Sequence, residues 1–219
     1  MEQQLLIDFA TNRTMSDSRQ SCLVQTLSDA RTICGFNPES GEIEPDLLLN
    51  SKGDGPLFQS SFSGLIMYLI SLEMIGKVFN KKPNLKDTKK NGIKRAVEQF
   101  SGISKEDKFA IVALRNSLVH TTGLVNLPLY KNSKDLDRHK FSLNYVSQNG
   151  EIVKMPSVRW NGKYSKKEDS QSTTIHVIPL IKAIEAIYER VVTDLKGGFI
   201  ELNLEGGIEE LKARYTLLY

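Results

Sequence analysis

Apolar residues recur at helical spacing over most of the chain. Between residues 14 and 35, Leu23, Leu27, Ala30 and Ile33 or Cys34 fall on one face. Ser16 or Asp17 can cap this segment and Gly35 can end it, which predicts a first long helix. The most apolar stretch, "LFQSSFSGLIMYLISLEMIGKVF" (57–79), predicts a buried helix over 56–80 that Pro83 prevents from continuing. A shorter basic helix is expected over 86–101, with Ile93, Ala96, Val97 and Phe100 inward. Ser104 followed by Asp107 resembles a capping box and starts another helix near 105. Phe109, Val112, Ala113 and Leu114 mark its core side, then Leu118 or Val119, and Gly123 is its stop.

The period changes over 124–173. "HKFSLNYVSQNGEIVKMPSVRW" alternates on either side of Asn149-Gly150, a two-residue hairpin signal. Strands are expected near 140–147 and 151–155, with room for a third around 157–160, and a polar loop over 161–173. Helical spacing returns over 174–196, with Pro179 in the first turn, an apolar stripe of Ile181, Ile184, Ile187, Tyr188 and Val191, and Gly197-Gly198 at the end. "IEELKARYTLLY" predicts a last short helix. The pattern therefore predicts an all-α chain, a single domain over 1–219. It has five or six helices and a small β-hairpin insertion over 124–173.

Composition changes this picture little. The chain has 219 residues, 40% hydrophobic and 25% charged, ordinary values for a soluble globular protein long enough to bury a core. Cys22 and Cys34 lie about 18 Å apart along one helix, too far for a disulfide, and suit a reducing compartment. The segment 57–79 carries Gln59, four serines and Glu73, so it reads as a core helix rather than a membrane span. The N-terminus has no signal-peptide pattern, and a cytoplasmic location is expected.

Charge is more informative. The net charge is +3, yet "KVFNKKPNLKDTKKNGIKR" (77–95) holds eight Lys or Arg and one Asp. Such a strip is either a solvated face or a phosphate-contacting surface. On the second reading Lys81, Lys82, Lys89, Lys90, Lys94 and Arg95 contact RNA, joined by Arg159 from the insertion. Trp160, Tyr145 and Tyr164 stand among Lys154, Arg159, Lys163, Lys166 and Lys167. These aromatics can stack on unpaired bases or cover the core. His139 is expected in a surface turn and His176 at the start of the 174–196 helix. The three histidines and two cysteines have no metal-ligand spacing, and no cofactor motif is present.

The densest chemistry is "RNSLVH", which places Arg115, Asn116 and His120 within six residues. Arg115 and His120 differ by about 140° and 7.5 Å of helical rise, whereas Asn116 and His120 share a face. Asn116 can therefore hold the imidazole. A permanent planar cation beside a side chain that exchanges protons near neutrality can cleave RNA without a metal. The alternative is structural: Arg115 paired with a carboxylate and His120 bonded to a backbone carbonyl.

This hexapeptide resembles the signature of the HEPN superfamily: Arg, four to six residues, then His, usually with a polar residue after the Arg. The match falls on Arg115, Asn116 and His120. The resemblance implies an HEPN-like helical bundle acting as a two-fold homodimer whose paired motifs form one cleft. It also implies an endoribonuclease that leaves 2′,3′-cyclic phosphates, as in toxin–antitoxin, phage-defence and CRISPR-associated proteins. A toxin subgroup has Tyr two residues after the His, modified by a partner nucleotidyltransferase. Here that position is Thr122, so that regulation is not carried over. The other expectation from the resemblance is a catalytically silent scaffold that partners an antitoxin or another defence component.

Overall fold

The computed structural model describes residues 2–42, 58–84, 87–88, 91–127, 138–145, 150–164 and 170–218. In chain order these form α1 (Glu2–Thr11), β1 (Gln20–Ser21), α2 (Cys22–Ile33), α3 (Phe58–Val78), β2 (Phe79–Lys81), α4 (Gly92–Phe100) and α5 (Lys105–His120). Then follow β3 (Val125–Asn126), β4 (His139–Asn144), β5 (Val153–Lys154), β6 (Thr173–His176), α6 (Val177–Lys196), β7 (Ile200–Leu202), α7 (Gly207–Tyr215) and β8 (Thr216–Leu217). The all-α expectation is overturned. Helices dominate, but the strands build three sheets, one of them four-stranded and mixed, so the fold is of the α/β kind. The chain divides into two compact units, residues 1–102 with 183–219, and residues 103–182.

In the first unit, α2 packs on α3 and α3 on α4. Two close approaches set these distances. A Cβ on Gly76 of α3 would stand 1.8 Å from the carbonyl oxygen of Gly92, at the start of α4, and a Cβ on Gly64 would stand 2.3 Å from Cys34 Sγ. Ser21, rather than Ser16 or Asp17, caps α2: its hydroxyl accepts from Val24 N–H at 3.2 Å and donates to the Phe9 carbonyl at 2.6 Å. That second bond ties down α1, a ten-residue helix too short to persist alone. Tyr188 holds α1 from the other side by donating to the Ala10 carbonyl at 2.8 Å. Asn91 caps α4, which therefore starts later than its sequence spacing suggests.

A buried ion pair joins distant parts of this unit. Arg31, 6% exposed, donates from Nε and Nη2 to both oxygens of Glu185, at 2.9 and 2.7 Å. Its Nη1 donates to the carbonyls of Pro38 and Glu39, and Tyr68 donates its hydroxyl to Glu185 Oε1 at 2.8 Å. Burial pushes the Tyr68 hydroxyl far up, reinforced by the carboxylate beside it. Burial also pushes the Cys34 thiol up to about 12, so Cys34 acts as an inert core residue.

The second unit carries the sheet, in the order β3-β4-β6-β5. The expected hairpin is corrected here. β4 and β5 are not neighbours, because β6 lies between them, parallel to β4 and antiparallel to β5. β6 occupies the stretch expected to open the 174–196 helix. Its β-branched Thr173 and Ile175 are buried, and each stands opposite a residue of β4. The helix begins at Val177, with Pro179 in its first turn. Asn149 lies outside the described residues. His139 opens β4 and is buried rather than in a surface turn. Its Nδ1 is 2.9 Å from Thr173 Oγ1 and its ring stacks on Phe141. His176 closes β6, donating Nδ1–H to the Glu151 carbonyl at 2.8 Å. Among the described residues, no helix is long and apolar enough to cross a membrane.

Two outcomes test this packing. Gly76→Ala must push α3 off α4, and is expected to cost about 3 kcal/mol in chemical denaturation; a loss below about 0.5 kcal/mol would contradict the close approach. The second concerns Asp194. Burial pushes its carboxyl up, but Lys81 at 2.9 Å and Arg190 at 3.0 Å outweigh that and hold it below the usual carboxylate range. A lowered folded value contributes stability that is present above the unfolded value of about 3.9 and lost as pH falls further. Denaturation midpoints taken between about pH 5 and pH 2 should therefore fall less steeply in Asp194→Asn than in the parent. Identical slopes would remove Asp194 from the acid response.

Candidate active site

The helix that carries the hexapeptide is built as its sequence suggests at the start and differently along its side. Ser104 caps α5, its hydroxyl accepting from Asp107 N–H at 3.0 Å. The buried stripe is Ala110, Ile111, Leu114, Ser117 and Leu118, with Ala113 at its edge. Of the expected face, Ala113, Leu114 and Leu118 are buried, whereas Phe109 and Val112 are half-buried. The stripe runs along one side of α5, a helix that contacts β3 and β4. Arg115, Asn116 and Val119 are consequently half-buried beside it, and His120 is exposed at the last turn.

Arg115 and His120 meet. Arg115 Nη1 is 2.7 Å from His120 Nε2 and donates to Asn116 Oδ1 at 3.3 Å. The helix places the two Cα atoms far apart around its circumference. The long arginine stem and the backward tilt of helical side chains close the gap. A guanidinium has only N–H donors, so Nε2 is the acceptor in this contact and carries no proton. The tautomer that fits this contact has its proton on Nδ1. The role expected of Asn116 changes with this geometry: its amide oxygen holds the arginine rather than the imidazole.

The helix ends under backbone constraint. Thr121 Oγ1 donates to the Ser117 carbonyl at 2.7 Å, and Gly123 N–H donates to the same oxygen at 3.2 Å. Between them, Thr122 has φ 50°, a left-handed conformation that a β-branched residue rarely adopts. The expected stop at Gly123 is thus displaced by one residue, onto a threonine.

The proposed RNA-contacting strip is dispersed. Arg95 is 1% exposed, so it is not a surface cation. Its Nη1 donates to the Asp87 carbonyl at 2.7 Å, and its Nη2 donates to Asn80 Oδ1 at 3.0 Å and the Phe79 carbonyl at 3.3 Å. Burial lowers its affinity for the proton, partly offset by Asp87. Lys81 is bound to Asp194 at 2.9 Å. Lys82 is exposed and donates to the Gly198 carbonyl at 3.3 Å; Lys94 is half-buried. Lys89 and Lys90 lie outside the described residues. Arg159 belongs to the second unit and stands 3.6 Å from Glu106. Among the described residues, no three His, Cys, Asp or Glu side chains gather as metal ligands.

Compared with family models, curated proteins and solved structures, the chain matches none.

Thr122→Gly should relieve the left-handed strain at the end of α5 and raise stability by about 1 kcal/mol, read from the denaturation midpoint. A loss of stability would mean that the threonine side chain holds this turn.

Proposed function

We propose that this protein is a metal-independent endoribonuclease acting on single-stranded RNA in the cytoplasm, with Arg115 and His120 as its catalytic residues. The observation that carries the reading is the 2.7 Å contact between a guanidinium nitrogen and an exposed imidazole nitrogen. In the resting site the Nε2 lone pair of His120 is occupied by Arg115. A phosphodiester entering beside the pair offers the guanidinium a stronger, charged acceptor. Arg115 moves onto the phosphate oxygens, and Nε2 is released to take the proton from the adjacent 2′-hydroxyl. The 2′-oxygen then bonds to phosphorus and the P–O5′ bond breaks. Arg115 stabilises the extra negative charge on the phosphoryl oxygens as it develops. The leaving 5′-oxygen requires a proton. His120 of a second copy supplies it in a homodimer, after its own Arg115 has released Nε2 and that nitrogen has taken a proton from solvent. The products are a 2′,3′-cyclic phosphate and a 5′-hydroxyl. Asn116 keeps the guanidinium in place between turnovers.

A second reading is favoured by one observation. The resemblance implied a wholly helical bundle, whereas α5 packs on a four-stranded mixed sheet. A protein of this kind can keep the Arg–His pair as a binding element, acting as a silent partner in a larger assembly.

Incubation with single-stranded RNA in EDTA separates the two. The ribonuclease reading expects cleavage with cyclic-phosphate ends, and no cleavage where a single 2′-deoxy residue replaces the attacking hydroxyl. It also expects a loss of about a hundredfold or more in Arg115→Ala and in His120→Ala. Intact RNA at high protein concentration would leave the binding reading standing.

A further inference from the structure

The second unit contains another arrangement of charge and shape, distant from the Arg–His pair. A cavity of about 90 Å³ lies against the first turn of α5, lined by Glu106, Arg138, His139, Arg159, Trp160 and Thr173 among others. Glu106 and His120 are fourteen residues apart on one helix, about 21 Å along its axis. One phosphate group cannot touch both places, so the cavity is not part of the site described above.

Its walls are fixed from below and charged at the sides. His139 and Thr173 are buried and bonded to each other at 2.9 Å. Trp160 is 3% exposed, and its indole N–H donates to the Lys163 carbonyl at 2.8 Å. Asn161 Oδ1 accepts from Lys163 N–H at 2.8 Å, which closes this turn. Arg138 is exposed, and Arg159 keeps 43% of its side chain in solvent. Arg159 faces Glu106 at 3.6 Å, longer than a tight ion pair. The cavity holds the volume of about three waters, the scale of one phosphoryl group and too small for a nucleobase. Just outside, Tyr164 is 77% exposed and meets the Trp160 ring edge-on, with centroids 5.6 Å apart. An exposed aromatic beside a doubly cationic pocket combines the two elements used to hold unpaired nucleotides: charge for the backbone and a flat face for the base.

We infer that this cavity is a phosphate subsite for single-stranded RNA, with Arg138 and Arg159 gripping one backbone phosphate and Tyr164 stacking on the neighbouring base. The inference rests on the RNA reading above, but not on cleavage. Trp160 is the single tryptophan of the chain, so its fluorescence reports directly from the cavity wall.

The test uses a fully 2′-O-methylated single-stranded RNA oligomer, which cannot be cut by 2′-oxygen attack. Titration into the full-length protein should change Trp160 fluorescence at saturation. Arg138→Gln/Arg159→Gln should weaken binding about tenfold and lower the salt dependence by about one phosphate contact. Tyr164→Ala, at a solvent-exposed position where folding is not at stake, should weaken it about tenfold by loss of stacking. Glu106→Gln should tighten binding, because it removes the carboxylate that faces Arg159.

Unchanged affinity in the double-arginine variant and in Tyr164→Ala, or weakened binding with no response from Trp160, would overturn the assignment. So would inorganic phosphate that alters Trp160 while the oligomer does not. The two readings fail separately. Fluorescence change without cleavage of the unmodified oligomer leaves the subsite and removes the nuclease, and cleavage without fluorescence change does the reverse.

Discussion

The unit that carries the candidate chemistry depends on one constraint: a helix and a sheet each have a face that must leave water. α5 satisfies it with Ala110, Ile111, Leu114 and Leu118, all buried along one side of the helix. Burial of this stripe fixes the rotation of the helix. Once it is fixed, Arg115 and Asn116 have no choice but the flank, and His120 falls at the open end. The arginine spans the distance that the helical repeat imposes, and the amide beside it accepts one of its protons. The site is therefore a consequence of how the helix is seated. No loop has to be recruited to bring the two functional side chains together.

The first unit shows the opposite use of cations. Arg31 and Arg95 are taken into the interior, where each guanidinium donates to three or more acceptors. Arg31 has a full counter-charge in Glu185 and ties α2 to α6 and to the turn at Pro38 and Glu39. Arg95 is held by carbonyls and an amide, which gather the start of β2 and the backbone at Asp87 around one side chain. Removing either arginine would strand several buried acceptors at once, the costliest kind of polar deletion. The cationic run of 77–95 is thus partly a structural device. Its positive charge is not available in proportion to its residue count.

What could be read from the chain follows from the range of the forces involved. Helices with a local periodic stripe and a local cap were legible: Leu23, Leu27 and Ala30 are the buried face of α2, and Ser104 does cap α5. The sheet was not. β6 is four residues long, abuts a helix, and acquires its identity only by lying between β4 and β5, partners that sequence spacing had joined directly to each other. β2 is three residues whose partner strand, β7, comes more than a hundred positions later. Such pairings are set by tertiary contacts that no window of periodicity contains. The same limit applies to charge. Arg95 and Lys94 look alike in a basic run, yet Lys94 is half-buried and Arg95 is buried with the inward stripe of α4, which also contains Ile93, Ala96, Val97 and Phe100. At the candidate site the residue types and their spacing were visible. The direction of the contact was not, because Asn116 meets Arg115 rather than His120 only once rotamers are chosen.

The account stands on His120 Nε2 accepting a hydrogen bond from Arg115. Long-range proton–nitrogen NMR of histidine-labelled protein reads the ring tautomer directly, and the chain has only three histidines to assign. The expected spectrum has neutral His120 protonated at Nδ1 and bare at Nε2, with the tautomer shifting when Arg115 is replaced by alanine. A ring protonated at Nε2 in the parent protein, indifferent to the loss of Arg115, would contradict the contact and the chemistry built on it.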